Sequence, residues 1–341
     1  MNKNRKMLMQ MFANANTQTT LLDALSDEMK TFYDKTLITL AGPKLVHDQF
    51  GQEKPIPQGS GKTIEFRKYD SLPKAMTPLT EGVTPDGQNL NVTTITATVS
   101  QYGGYVTISD VLKMTAIDNN VTEALRLLGD QAGRTLDSVT RDVLAGGTSV
   151  NYCGGKTSRA SLTTSDKLKV IDIERAATQL QANNAPTFED GSYVAIIHPY
   201  VSFDLRTSSE WIDVHKYTDQ AVNKMFEGEI GKIGNVRFVA TTEAKIWKSA
   251  TDNCPSYSSG SDTLYYAVFS TLVLGRDAYG KTSVEGGGLQ TIVKQLGAGE
   301  DPLNQRATVG WKAIKTAERL VEQYMVRIES LSAYSTQAAA N

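Results

Sequence analysis

Histidine is scarce in this 341-residue chain, which holds three, His47, His198 and His215. Nucleophile–base catalysis needs a base within hydrogen-bond reach, and none of the three stands in a recognisable motif. His198 precedes Pro199 after an apolar run, the setting of a structural, hydrogen-bonded histidine. HExxH, GxSxG and oxygen-rich calcium-loop patterns are missing, so no catalytic residue, metal ligand or cofactor is assigned. Cysteine is scarcer: Cys153 and Cys254 lie in Gly- and Ser-rich stretches without the paired spacing of a zinc or redox site. They are read as two free thiols in loops. No apolar run approaches the ~18 residues that span a bilayer, which excludes a membrane-spanning helix. Excess positive charge is missing too. With 35 basic and 37 acidic residues, net −2, the chain lacks the phosphate-neutralising balance of a general nucleic-acid binder, and any DNA contact must be local.

What is present suits a folded protein. Hydrophobic residues are 40% and charged residues 21%, near the globular average, and the length suits one or two joined domains. Met1 to Asn16 imitates a signal peptide, but its apolar run, Met7 to Ala13, is short and holds Gln10. It is read as a mobile basic arm carrying Lys3, Arg5 and Lys6. From Thr20, the positions Leu21, Leu22, Leu25, Met29, Phe32, Tyr33, Leu37 and Leu40 form one helical stripe, ended by Gly42-Pro43.

Between Gly59 and Asp110 the period falls to two. Ile64 and Phe66 alternate with Thr63, Glu65 and Arg67, and Ile95, Ala97 and Val99 alternate with threonines, predicting two half-buried strands. Their connection, Tyr69 to Asn91, carries Pro73, Pro78, Pro85, Gly82 and Gly87 and should project from the body. Val121, Leu125, Leu128, Ala132, Leu136, Val139 and Val143 predict a long amphipathic helix, with Asn120 and Glu123 as a capping pair and Gly146-Gly147 as its stop. Gly129 and Gly133 within it fit either close backbone contact or simple tolerance.

Beyond Val150–Thr164 the pattern becomes mixed. A helix is predicted around Leu168 to Leu180, and short buried strands at Tyr193–Ile197, Val236–Ala240 and Tyr265–Phe269. Lys248 to Asp262 reads as an exposed insertion. Alternation favours a strand at Met325–Glu329, and the last residues should fray.

Two motifs mislead. Gly59-Ser60-Gly61-Lys62-Thr63 imitates a phosphate-binding loop, but Ile56 stands where the motif needs glycine and a strand follows where it needs a helix. Phe66-Arg67-Lys68-Tyr69 mixes aromatic and basic residues, yet alternation puts Phe66 and Lys68 on one face and Arg67 and Tyr69 on the other, so no stacking platform forms. Glu189 and Asp190 are read as a solvated turn.

A distinct resemblance is carried by an ordered series of segments: NTQTTL from Asn16, GSGKTIEFRKYDSLP from Gly59, LTEGVTPDG from Leu79, YGGYVTISD from Tyr102 and QAGRTLDSV from Gln131. IIHPY from Ile196, GEIGKIGNVRFV from Gly228, DPLNQRATVGWK from Asp301 and MVRIE from Met325 complete it. In this order they resemble the major capsid proteins of tailed bacteriophages, specifically the family named after phage N-four, over nearly the whole chain. The resemblance implies an α+β fold of the Hong Kong ninety-seven type. Its parts would be an N-terminal arm and helix (1–58), an E-loop (59–109) and a peripheral domain with the spine helix (110–164). An axial domain (165–299) and C-terminal strands of the peripheral domain with a tail (300–341) would follow.

The resemblance further implies hexamers and pentamers forming an icosahedral shell around double-stranded DNA, in the virion and assembled in the bacterial cytoplasm. A separate scaffolding protein is implied, because no room precedes the arm, with a portal as a further partner, and the sequence leaves a decoration protein open. The alternative is another structural role, an encapsulin-like compartment or tail-tube subunit. Arg67, Lys68 and Lys74 are candidate inter-subunit contacts at the loop base, with Glu123, Asp130 and Asp137 on the helix as their acidic counterparts.

Overall fold

The structure, a computed structural model, describes residues 17–18, 45–59, 61–69, 72–84, 86–115, 120–216, 229–259, 262–283, 287–294, 296, 301 and 303–341. The basic arm and the helical stripe from Leu21 to Leu40 lie outside the described residues.

Strands β1 (Thr17–Gln18), β2 (Gln52–Glu53), β3 (Thr63–Tyr69), β4 (Val92–Thr98) and β5 (Ser100–Ser109) precede helices α1 (Asp110–Thr115) and α2 (Asn120–Ala145). Next come β6 (Val150–Tyr152), α3 (Val170–Ala182), β7 (Tyr193–Ile197), α4 (Pro199–Arg206), α5 (Ser209–Lys216), β8 (Glu229–Ile233), β9 (Val236–Ala240) and β10 (Ile246–Trp247). The chain closes with β11 (Ser256–Ser259), β12 (Asp262–Tyr265), β13 (Val268–Leu274), β14 (Tyr279–Ser283), β15 (Gln290–Lys294), β16 (Arg306–Arg319) and β17 (Met325–Ser330).

Two compact units result. One holds Ser100–Leu136 and Val284–Lys315. Its sheet is built on β16, which pairs antiparallel with β5 along Arg306–Lys315 and with β15 along Thr308–Lys312. On one face, Val309, Trp311 and Ala313 pack against Leu128, Ala132 and Leu136 of α2. These are positions of the predicted stripe, so the 3.6-residue period and the two-residue period meet in one small core. Gly129 carries no such load, since a Cβ there would meet nothing within 4 Å.

The other unit holds Val46–Val99, Asp137–Ser283 and Thr316–Asn341. Its sheet runs β6-β17-β13-β7-β9-β8. Strands β7 and β13 are buried along their whole length, which explains their unbroken apolar runs: both faces are covered. Helix α3 covers one face with Ile173, Ala176, Ala177 and Leu180. Its Ile171 is exposed.

The C-terminal end of α2 belongs to this unit and has no basic residue in its last turn. Its free carbonyls are instead met by arginines from distant strands. Arg319 donates to Val143 O at 2.8 Å, and Arg327 donates to the carbonyls of Ala145 and Gly147. Cations there oppose the negative end of the helix dipole. Arg327 and Arg159 also flank the Trp247 ring, at 5.2 and 3.9 Å, and share the fully buried Glu329 carboxylate. Burial pulls the Arg159 pKa down, but the hydrogen bond and charge of Glu329 outweigh it and the net shift is upward. At Arg327 burial dominates and the pKa falls.

Three expectations need correction. Tyr265–Phe269 is not one strand: β12 ends at Tyr265 and β13 begins at Val268. Between them Tyr266 N and Ala267 N donate to Pro255 O and Thr336 O, taking both residues out of a ladder. The insertion from Lys248 holds the β11–β12 hairpin and buries Cys254. The tail does not fray. The Asn341 side chain accepts from Ile246 N at 2.9 Å and donates to Ala244 O at 3.0 Å, while Tyr334 stacks on Tyr200 at 4.6 Å.

Candidate assembly surfaces

The β3–β4 hairpin pairs residue for residue from Thr63↔Thr98 to Tyr69↔Val92. Directly opposite residues share a face, so Ile64, Phe66, Ile95 and Ala97 line one side and Glu65, Arg67, Thr94 and Thr96 the other. The apolar side is seated within its own unit, with Phe66 and Ala97 buried. A Cβ on Gly280 would come within 2.8 Å of the Phe66 ring, so glycine at that position admits the ring. The other side is solvent-exposed, and the alternation read from sequence holds here.

Past the strands the packing stops. Every described residue from Leu72 to Asn91 is exposed. Five of them are large and apolar: Leu72, Met76, Leu79, Val83 and Leu90. Five exposed aliphatic side chains on one proline-rich connection make it a candidate interaction surface.

The six candidate contact residues are not equivalent. Arg67 is exposed, with its nearest acid, Glu65, 3.9 Å away. Lys68 is half-buried on the inner face and Lys74 is exposed. Glu123 is exposed and bonds Arg126 one turn on, at 3.1 Å. Asp130 is half-buried.

Asp137 leaves the set. It is fully buried and accepts from His47 N at 2.8 Å, with His47 Nδ1 2.7 Å from its second oxygen. Thr140 donates to Asp48 at 2.6 Å, and the Tyr279 hydroxyl donates to His47 O. These bonds clamp the turn Val46–Phe50 onto α2, so the carboxylate is spent inside the subunit.

The remaining polar singletons are structural as well. His198 caps α4, its Nδ1 accepting from Tyr200 N at 3.1 Å, and burial lowers its pKa to about 4. Asp190 is not merely solvated. It pairs with Arg237, and although burial opposes the charge, hydrogen bonds from Ser192 and the arginine lower its pKa. Cys153 and Cys254 are unpaired and buried, and burial together with Asp172 raises the Cys153 thiol well above its ordinary value. Among the described residues, no group of three His, Cys, Asp or Glu is placed to hold a metal ion, and no helix is long and apolar enough to cross a membrane.

Sequence reading passed over one surface. The face of β5, β16 and β15 turned away from α2 carries a groove of about 320 Å³, lined by Gly103, Tyr105, Ile292, Lys294, Thr308 and Gly310 among others. The glycines in YGGYVTISD and ATVGWK were its only sequence signal, and they mark it only once the strands are paired.

A family described as phage capsid protein matches residues 92–319, two thirds of the chain. The chain belongs to that family. The phage capsid protein is similar to the solved capsid of Ralstonia phage GP4, with TM-score 0.68 at 19% identity, covering 95% of this chain and 100% of the other. The capsid of cyanophage P-SCSP1u gives TM-score 0.63 at 15% identity, with 94% and 99% covered. The holo-SrpI encapsulin complex of Synechococcus elongatus PCC 7942 gives 0.54 at 10%, with 94% and 99% covered. No curated protein sequence matches significantly. The fold is therefore the Hong Kong ninety-seven type, and the capsid protein is a shell subunit, from a structural rather than an enzyme family, that works in a multi-subunit assembly in the virion capsid.

Proposed function

We propose that this capsid protein is the major shell subunit of a tailed phage, forming hexamers and pentamers that close an icosahedral shell around packaged double-stranded DNA. The supporting observation is the exposed segment Leu72–Asn91. A stretch with three prolines, two glycines and no buried side chain among its described residues cannot offset the entropy of its own ordering. Burial against neighbours does so, and modest contacts repeated around a closed assembly add through multivalency.

In this reading residues 1–58 are the arm and first helix, 59–109 the E-loop, 110–164 the spine helix and peripheral domain, 165–299 the axial domain, and 300–341 the closing strands and tail. Arg67, Lys68, Lys74, Glu123 and Asp130 serve as inter-subunit contacts, each exposed pair contributing about 0–1 kcal/mol. Assembly takes place in the host cytoplasm with a separate scaffolding protein and a portal. The near-neutral charge, −2, limits self-repulsion among many copies, and DNA contact is non-specific. The subunit uses no cofactor and catalyses no reaction.

Likeness to an encapsulin favours a second reading, a protein compartment without a genome. Nucleic acid inside purified particles separates the two. The assembly role itself is tested by replacing Ser71–Gln88 with a short Gly-Ser turn. Circular dichroism and melting should stay near those of the parent, while electron microscopy shows no closed shells. Closed particles from this variant would refute the assembly role, and an unfolded variant would place the segment in the folding core.

A further inference from the structure

Strand β10 pairs with β13 through Ile246 opposite Phe269, and among the described residues no other strand pairs with it. Ser270 N donates to Lys245 O, so in an antiparallel ladder the next residue, Ile246, turns its own N–H and C=O to the far side. An open edge of this kind is a template for strand addition. One residue of the tail closes it. The Asn341 side-chain oxygen accepts from Ile246 N at 2.9 Å, its Nδ2 donates to Ala244 O at 3.0 Å, and its main-chain N faces Ile246 O at 3.5 Å. Lys245 Nζ donates to Asn341 O at 2.6 Å.

The start of the tail is fastened to α4. The buried Asp204 carboxylate accepts from Ala333 N at 3.1 and 3.0 Å, and Tyr334 lies against the rings of Tyr200 and Phe203. Between the two ends, Ala267 N donates to Thr336 O at 2.9 Å and Lys248 Nζ to Gln337 O at 3.0 Å. The surface under the tail thus recognises main-chain groups, one aromatic ring and one carboxamide, as sites for extended peptides do. The tail itself brings no charged side chain, and from Ala333 to Asn341 every residue is exposed or half-buried. A segment held by surface hydrogen bonds and one aromatic contact belongs to the part of a fold that opens locally at low cost.

We propose that β10, α4 and Ala267 form a peptide-binding seat, filled in the lone subunit by its own tail and open to the Ala333–Asn341 segment of a second copy when that tail lifts. The seat fixes the occupant, because this segment carries every group that it recognises, from Ala333 N–H and the Tyr334 ring to the Asn341 carboxamide. A multi-subunit assembly holds many such segments close together, which makes the exchange nearly intramolecular. Leu331 stays behind: it is buried and its N donates to Asp166 O, so only the residues after Ser332 swing.

A chain ending at Ser332 leaves the seat empty. Its soluble subunits are titrated with a fluorescent peptide of sequence Ala333–Asn341, followed by anisotropy, beside the full chain. The truncated chain should bind saturably, and the full chain far less, since its own tail competes. An Asn341→Ala peptide should bind about ten-fold more weakly, the effect of about 1.4 kcal/mol. No binding by a truncated chain that circular dichroism shows to be folded overturns the inference, as does equal binding of the two peptides.

Exchange between full chains is tested separately, which also decides the matter if the truncated chain does not fold. One tagged chain carries Phe203→Cys and a differently tagged chain Tyr334→Cys, both positions being exposed while Cys153 and Cys254 are buried. Co-expressed and mildly oxidised, they should give a disulfide-linked product carrying both tags. The two changes in a single chain serve as the control and should link within it. If the control links and the mixed chains do not, the tail stays on its own subunit and the inference falls.

Discussion

Replacing Asp137 by alanine removes two of the bonds that fasten the Val46–Phe50 turn to α2 and leaves the one from Thr140 to Asp48. His47 N and Nδ1, 2.8 and 2.7 Å from the carboxylate, would be left buried without that partner. Two hydrogen bonds to a charged acceptor contribute about 1.5–3 kcal/mol each. A loss of about 4 kcal/mol is expected, which should lower Tm by about 5–10 °C for a chain of this size.

Asp137→Asn keeps one acceptor oxygen and should fall between alanine and the parent. The control is Glu123→Ala, whose partner Arg126 is exposed, for which a change within about 1 kcal/mol is expected. The measurement is urea unfolding of soluble, unassembled subunits of the three variants. If Asp137→Ala unfolds within about 1 kcal/mol of the parent, the clamp does not hold the turn. If it also blocked shell closure, Asp137 would return to the contact residues.

Two further outcomes follow from side chains inside the second unit. The His198 pKa lies near 4, below the ordinary 6.5, so on acidification the unfolded chain takes the proton first. Stability conferred by the neutral ring is present above 6.5 and is lost as pH falls toward about 4. His198→Asn keeps a capping acceptor without titrating and should flatten that part of the pH–stability curve; identical slopes would refute the role. Tyr334→Ala removes ring contacts to Tyr200 at 4.6 Å and Phe203 at 5.6 Å, each worth about 0.5–1.5 kcal/mol. A loss of about 1–3 kcal/mol in denaturant midpoint experiments is expected, and no loss would mean that the tail contributes nothing to stability.

Local pattern by itself determined much of this protein. The stripe from Leu128 to Leu136 and the alternation of Ile64, Phe66, Ile95 and Ala97 appear as a helix and a hairpin because periodicity is a property of neighbouring residues. Prolines and glycines between Tyr69 and Asn91 likewise break helix and strand periods, and every described residue from Leu72 to Asn91 is exposed. The tertiary structure decided everything that depends on distant partners. Asp137 looks like any acid on a helix surface until His47, ninety positions away, is folded onto it. The tail from Ser332 to Asn341 has no apolar period, yet it is held by Ala244, Ile246 and Tyr200. Gly310 is one glycine among 27, and only pairing with Tyr105 on one side and Ile292 on the other makes it the floor of a groove. Backbone periodicity is written residue by residue, whereas burial and complementarity come from which strands meet, and that is settled by the packing of the whole chain.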